Sequence, residues 1–255
     1  NLKKGPWDKD GRRQIYEKAE LKKEDYKILL KICKKNNIKF LTRLFNEKDY
    51  ELIKNLGLNE IKIPSPENRN RSLLKFCANK FKTIYLSTGA ATIDEIKKSF
   101  KLLKNKKTHI MHCISAYPCK DENVNLKRII DLKKICPSVG LSDHTPDILS
   151  SLFSLPYGVD LIEKHFTVDR NMEGPDHAAS LEPEEFKRLV DGIREVESAL
   201  GEASPIRALS QGEMINRENL SKSLVAARVL KSGTVLTEGD IAVKSPGQGI
   251  SPQSF

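Results

Sequence analysis

No stretch of this sequence approaches the roughly 18 consecutive apolar residues that a membrane-spanning helix needs, so no membrane partner is expected. Its first residues, Asn1-Leu2-Lys3-Lys4-Gly5-Pro6-Trp7, carry neither an initiator Met nor the apolar stretch of a secretory signal. The chain is therefore expected to begin inside a longer protein. CxxC pairs are also missing, and the five cysteines (Cys33, Cys77, Cys113, Cys119 and Cys136) are odd in number. Reduced thiols in a cytoplasm explain that usage. Zinc-finger spacing, a basic zipper and the aromatic signature of an RNA-binding sheet are absent too. The formal charge of +10, from 44 basic against 34 acidic side chains, thus gives no reason to expect nucleic acid. The lysines of residues 22–35 and 97–107 are interleaved with Asp and Glu along amphipathic segments, which is the pattern of a solvated face.

What is present is a repeat of β then α. Short apolar runs lie at 38–42, 60–63, 83–87, 109–113, 139–142 and 161–164. Four or five mostly apolar residues are what a buried parallel strand needs, and their spacing of roughly 20 to 30 residues fits a βα unit. Between them run helical patterns, such as Tyr26, Leu29, Leu30 and Cys33 on one face. Thr92-Ile93-Asp94-Glu95 supplies a capping box. The fold class expected is α/β with a parallel sheet or barrel. The 255 residues are close to the roughly 250 of a complete (β/α)8 TIM barrel, yet only six units are legible. Either the sheet is open or two N-terminal βα units are missing, and the absent initiator Met favours the second. A long helix at 183–200 closes the pattern. The domain boundaries expected are 1–202 for the partial barrel, 203–220 for a linker rich in Gly, Ser and Pro, and 221–255 for a small module with β runs at 223–226 and 233–237.

In a β/α barrel the chemistry sits at the strand ends. Lys62, Ser65 and Glu67 follow the run at 60–63, and Ser87-Thr88-Gly89 closes the next. His112, Cys113, Ser115 and Tyr117 close the third, Ser142-Asp143-His144-Thr145 the fourth and Glu163-Lys164-His165 the fifth. Polar residues at one strand end are commonplace, but at five successive ends they are hard to explain as core. His144 and His165 close consecutive strands, and two neutral imidazoles at one rim suit a divalent transition metal with coordination positions left open. His112 and His177 read as hydrogen-bonding residues near the site. Lys62 with Ser65, Ser87 and Ser142 forms an anion cradle, although each serine alone is more often a helix cap than a ligand.

Several of these stretches carry a resemblance. Lys62-Ile63-Pro64-Ser65-Pro66-Glu67, Leu86-Ser87-Thr88-Gly89, Met111-His112-Cys113-Ile114-Ser115-Ala116-Tyr117-Pro118, Gly140-Leu141-Ser142-Asp143-His144-Thr145, Ile162-Glu163-Lys164-His165-Phe166-Thr167 and residues 174–183 resemble the N-acetylneuraminate (sialic acid) synthase family, in order and spacing, along practically the whole chain. The resemblance implies a (β/α)8 barrel followed by a small antifreeze-like domain, swapped across a homodimer. It implies a transferase that condenses phosphoenolpyruvate with N-acetylmannosamine, or with a 6-phosphate or differently acylated relative. His144 and His165 look like ligands of a divalent metal, Mn²⁺ or Mg²⁺. Lys62, Ser65, Ser87 and Ser142 look like the phosphoenolpyruvate site, with Glu67 close to metal and substrate. Ser115, Tyr117 and Asp176 look like amino-sugar contacts. The enol carbon attacks the sugar aldehyde, water quenches the positive C2, and C–O cleavage releases phosphate and a nine-carbon α-keto acid.

Two departures accompany the resemblance. The family's first two βα units are absent, so residues 1–255 alone are expected to be poorly soluble and silent until about 60 residues precede them. Where the family has an arginine before Pro-Gly, Lys244-Ser245-Pro246-Gly247 places Ser245. The rival readings are a legionaminic or pseudaminic acid synthase, a spore-coat polysaccharide homologue, and a non-catalytic sugar-binding fragment.

Overall fold

Strand runs too short to bury themselves must be covered on both faces, and the pattern of the sequence supplies that cover with a helix after each. The computed structural model describes residues 12–254 apart from Asn105 and Pro175. The opening segment Asn1–Trp7 and the proline of the Gly174–His177 motif therefore lie outside the described residues. The chain divides into two units, Asn1–Gly201 and Glu202–Phe255.

In the first unit, helices α1 (Arg12–Ala19), α2 (Lys23–Lys35) and α3 (Tyr50–Asn55) precede strand β1 (Glu60–Ile63). Then come α4 (Arg71–Lys80), β2 (Thr83–Ser87), α5 (Ile93–Leu103), β3 (Lys107–Cys113), α6 (Asp121–Val124), α7 (Arg128–Lys133), β4 (Val139–Asp143), α8 (Leu149–Ser154), β5 (Ile162–Lys164) and α9 (Pro183–Leu200). The sheet order is β1-β2-β3-β4-β5, with every pair parallel. Thr92 caps α5 as its motif requires: its hydroxyl accepts from the Glu95 N–H at 3.3 Å, and the Glu95 carboxylate accepts from the Thr92 N–H at 2.8 Å.

Alternation along the strands sorts the side chains. Ile61, Ile63, Ile84 and Leu86 face the helices and pack with Leu73, Leu74, Cys77 and Phe81. Farther along the sheet, Ile96, Ile110, Ile129, Leu132 and Val139 form a second buried cluster. Each such fully buried side chain contributes roughly 1.5–3 kcal/mol of transfer free energy. The intervening residues Lys62, Tyr85 and Ser87 are left for the other face. That face is concave. In a flat sheet, β1 and β5 would lie about 19 Å apart at roughly 4.8 Å per strand step, beyond the combined reach of a lysine and a glutamate. The Lys62 ammonium nevertheless bonds the Glu163 carboxylate. The five strands are therefore curled into a half-barrel.

The expected strand at 38–42 does not form. Parallel pairing is reduced to a single bridge, Arg43 with Lys62, flanked by Lys62 N–H to Thr42 C=O at 3.0 Å and Leu44 N–H to Lys62 C=O at 3.2 Å. The earlier residues are thinly covered, with Ile38 63% and Leu41 38% exposed, and so open an apolar run lacks the burial that makes such a strand. The second unit contains α10 (Gln211–Leu220), which occupies the latter part of the expected linker, and an antiparallel pair of β6 (Ser223–Ala226) and β7 (Ile241–Lys244). The second β run expected at 233–237 is instead irregular. Gly233 has φ 86°, the Thr234 N–H closes a turn onto the Lys231 carbonyl at 3.1 Å, and Val235 is 86% exposed. Among the described residues, no helix is long and apolar enough to cross a membrane.

Candidate functional site

The strand ends converge because the register aligns them. Cys113 on β3 pairs with Ser142 on β4, and Ser142 with Glu163 on β5. These three residues form one row across the concave face. The Ser142 hydroxyl donates to Glu163 at 2.9 Å, and the same carboxylate oxygen holds the Lys62 ammonium. Burial raises the Glu163 carboxyl, but the charge and hydrogen bond of Lys62 outweigh it and hold its pKa below the ordinary value. Lys62 thus belongs to a Lys62–Glu163–Ser142 relay, in which Glu163 is a partner that the cradle of Lys62, Ser65, Ser87 and Ser142 did not include.

Ser65 sits in the turn after β1 and accepts the Gly89 N–H at 3.0 Å. Its own hydroxyl lies 3.5 Å from the Cys113 sulfur. A methyl group on Gly89 would stand 2.1 Å from Ser115 Oγ and 2.7 Å from Ser65 Oγ. The absence of a Cβ at 89 is what lets Ser65, Ser115 and Cys113 crowd one backbone N–H. Gly89→Ala should therefore swing Ser65 aside and weaken anion binding at this end by about tenfold, the worth of one charge-assisted hydrogen bond. Titration with an anionic substrate checks this, and unchanged affinity would detach Ser65 from the site. Ser87, at the end of β2, is 1% exposed, and its hydroxyl is the buried side-chain polar atom without a partner among the described residues. A buried hydroxyl lacking a partner is costly unless something arrives to bond it.

On the opposite rim the ring centroids of His144 and His165 are 5.3 Å apart, and Tyr117 lies 4.2 Å from the first and 5.5 Å from the second. His144 Nδ1 is 2.8 Å from the Ile114 carbonyl. That contact requires a proton on Nδ1, so in the neutral ring the lone pair is on Nε2. Burial lowers the His144 pKa, but its hydrogen bonds to Cys113 and Ile114 reverse the sign, and the net shift is upward. His165 is lowered, first by burial and then by His144, against the upward pull of Asp176. Asp176 Oδ2 stands 4.0 Å from His165 Nδ1. Burial, together with the negative charges of Cys113 and Asp176, pushes the Tyr117 phenol up to about 12, so it is a neutral hydroxyl.

The structure thus gathers Lys62, Ser142 and Glu163 in one group, Ser65 and Ser115 around Gly89 in a second, and His144, His165, Tyr117 and Asp176 in a third. Glu67 stands apart, its carboxylate accepting from the Asn70 amide at 2.7 Å. His112 bonds the Val124 carbonyl at 2.7 Å and His177 the Thr167 hydroxyl at 2.8 Å. Among the described residues, no group of three or more His, Cys, Asp and Glu side chains is arranged to hold a metal. Two imidazoles, one held through Nδ1 and the other favoured as a neutral ring, still suit an ion that takes its remaining ligands from water and substrate.

A curled parallel sheet with polar side chains at every strand end defines a β/α half-barrel of the sialic acid synthase type. This chain belongs to the NeuB family, which matches residues 1–205. It is 40% identical over 248 residues to the N,N'-diacetyllegionaminic acid synthase of Campylobacter jejuni, covering 95% of this chain and 74% of that protein. It is 33% identical to the human N-acetylneuraminate-9-phosphate synthase, covering 88% of this chain and 63% of that protein. The N-acetylneuraminic acid synthetase of Leptospira borgpetersenii superposes with a TM-score of 0.73 at 31% identity, over 78% of this chain and 70% of that one.

Proposed function

We propose that the protein is a nonulosonic acid synthase that condenses phosphoenolpyruvate with an N-acylated amino sugar and releases phosphate. The observation that carries this reading is the unpartnered hydroxyl of Ser87, on the same concave face as Lys62 and Ser142 and two residues before Gly89, whose N–H bonds Ser65. Hydroxyls, one ammonium and a backbone N–H form a cradle for an anion, and the enol phosphate sits there. Glu163 holds the Lys62 ammonium in place across the concave face. Glu67, on the turn after β1, is bonded to the Asn70 amide in this structure and would have to leave that partner to reach metal and substrate.

His144 and His165 hold a divalent ion, and two imidazoles favour a transition metal such as Mn²⁺ over Mg²⁺. When bound, such an ion supplies Lewis-acid polarisation of the sugar's aldehyde oxygen. Tyr117 and Asp176, with Ser115 nearby, bind the amino sugar, the neutral phenol as hydrogen-bond donor. The enol carbon then forms the new C–C bond, water adds at C2, and the C–O bond to phosphate breaks. On this reading the half-barrel is part of a (β/α)8 barrel, and Glu202–Phe255 begins an antifreeze-like domain exchanged within a homodimer.

A second reading of the sugar has its own support. Identity is 40% to the diacetyllegionaminate enzyme against 33% to the human enzyme, which favours an acceptor with two N-acetyl groups. Phosphate release by the native gene product, offered phosphoenolpyruvate with N-acetylmannosamine, its 6-phosphate and a diacetamido hexose in turn, decides between them. The diacetamido sugar should give the highest kcat/KM. A preference of tenfold or more for N-acetylmannosamine would return the acceptor to the first reading, and no release with any sugar would remove both.

A further inference from the structure

Lys164 shares β5 with Glu163 but points to the other side, where its side chain and that of Asp143 are each 1% exposed. An ammonium has three protons. Here they meet Asp143 Oδ2 at 2.8 Å, the Thr145 carbonyl at 2.6 Å and the Asp147 carbonyl at 2.7 Å, with Thr145 Oγ1 farther off at 3.1 Å. These acceptors lie on one loop, residues 143–147, which leaves β4 and carries His144. Asp143 tightens the same loop, accepting the Thr145 N–H at 2.9 Å and the Ser151 hydroxyl at 2.6 Å. A small pocket lined by His112, Cys119, Val124, Leu141, Asp143 and His144 borders the loop.

We infer that Lys164 is a positioning residue: by pinning the carbonyls on either side of the loop, it sets the backbone from which His144 presents Nε2. The inference rests on the reading of His144 as a metal ligand. A surface lysine on a flexible stem could not serve, since its orientation would cost side-chain entropy with no return. Buried among backbone carbonyls and one carboxylate, it has a single arrangement. Outer residues that orient a ligand histidine are worth about 10- to 100-fold in metal affinity.

The test uses the intact protein and Mn²⁺ alone, with binding followed by calorimetry or electron paramagnetic resonance. Lys164→Met should weaken Mn²⁺ binding by about tenfold or more. Leu132→Ala, a cavity variant in the second apolar cluster, should lower the melting temperature yet leave Mn²⁺ affinity unchanged. A separate readout needs no metal: in ¹⁵N-histidine spectra of the metal-free protein, the Nδ1–H tautomer signal of His144 should persist in Leu132→Ala and split or broaden in Lys164→Met. If Lys164→Met does not fold, Thr145→Val removes one acceptor while keeping the ion pair. It should move both readouts in the same direction by less. Mn²⁺ affinity and the His144 signal both unchanged in the folded Lys164 variant, or in Thr145→Val if that is the one that folds, overturn the inference. Wild-type Mn²⁺ binding by His144→Ala would instead remove the ligand reading, and the tautomer signal alone would then decide the role of Lys164.

Discussion

Replacing His144 or His165 with Ala in the native gene product should lower kcat by about three orders of magnitude or more, since Lewis-acid stabilisation of developing charge contributes several kcal/mol. The fold should survive either change. His144→Ala removes the hydrogen bond to the Ile114 carbonyl and the longer contact with Cys113, a loss of about 1–2 kcal/mol. Among the described residues the His165 side chain makes no hydrogen bond as short, its pair with Asp176 standing at 4.0 Å. Both variants should retain a cooperative melt while losing stoichiometric Mn²⁺. Near-normal turnover of both in chelator-treated buffer would show that the two rings serve some other purpose.

The second large effect concerns the pair across the half-barrel. Lys62→Met should raise KM for phosphoenolpyruvate by one to two orders of magnitude, the worth of a charge-assisted contact, with a much smaller effect on the sugar. It also strands Glu163. Because the Glu163 side chain is 35% exposed and that of Lys62 18%, the stability cost should be about 1–2 kcal/mol rather than the 3–5 of a fully buried pair. The double variant Lys62→Met with Glu163→Gln should recover part of that stability but none of the affinity. Additive losses would mean the two groups act separately. The pH dependence has a definite sign. The pKa of Glu163 is held below its ordinary 4.5 in the folded protein. Its contribution is therefore present above 4.5 and lost as pH falls through the folded value. Glu163→Gln should flatten acid unfolding below about pH 4.5 and leave the neutral range almost unchanged.

How far the sequence could be read follows from burial. Runs at 60–63, 83–87 and 139–142 became strands because their helix-facing side chains are buried and each pairs with a neighbouring strand. The run at 38–42 has the same composition, but its outer side is open, and composition cannot report what lies alongside. The site histidines were legible because they close neighbouring strands. Glu163 was overlooked because it reads as one more charge beside Lys164 and His165. The signal was there, however: two adjacent charges inside a strand as short as Ile162–Lys164 must point to opposite faces. Each then needs its own partner, and those partners are Lys62 on one face and Asp143 on the other. Ser65 and Cys113 could not be paired from the chain, because their contact depends on the register of β1, β2 and β3 and on the missing Cβ of Gly89.

The central claim is a condensation that breaks the C–O bond of phosphoenolpyruvate. Its most direct test places ¹⁸O in the bridging position between C2 and phosphorus, then follows the label by mass spectrometry in the presence and absence of the acceptor sugar. The account predicts sugar-dependent phosphate that carries the ¹⁸O, together with an unlabelled nine-carbon keto acid. Label retained in the three-carbon fragment, or phosphate released at the same rate without sugar, would contradict it.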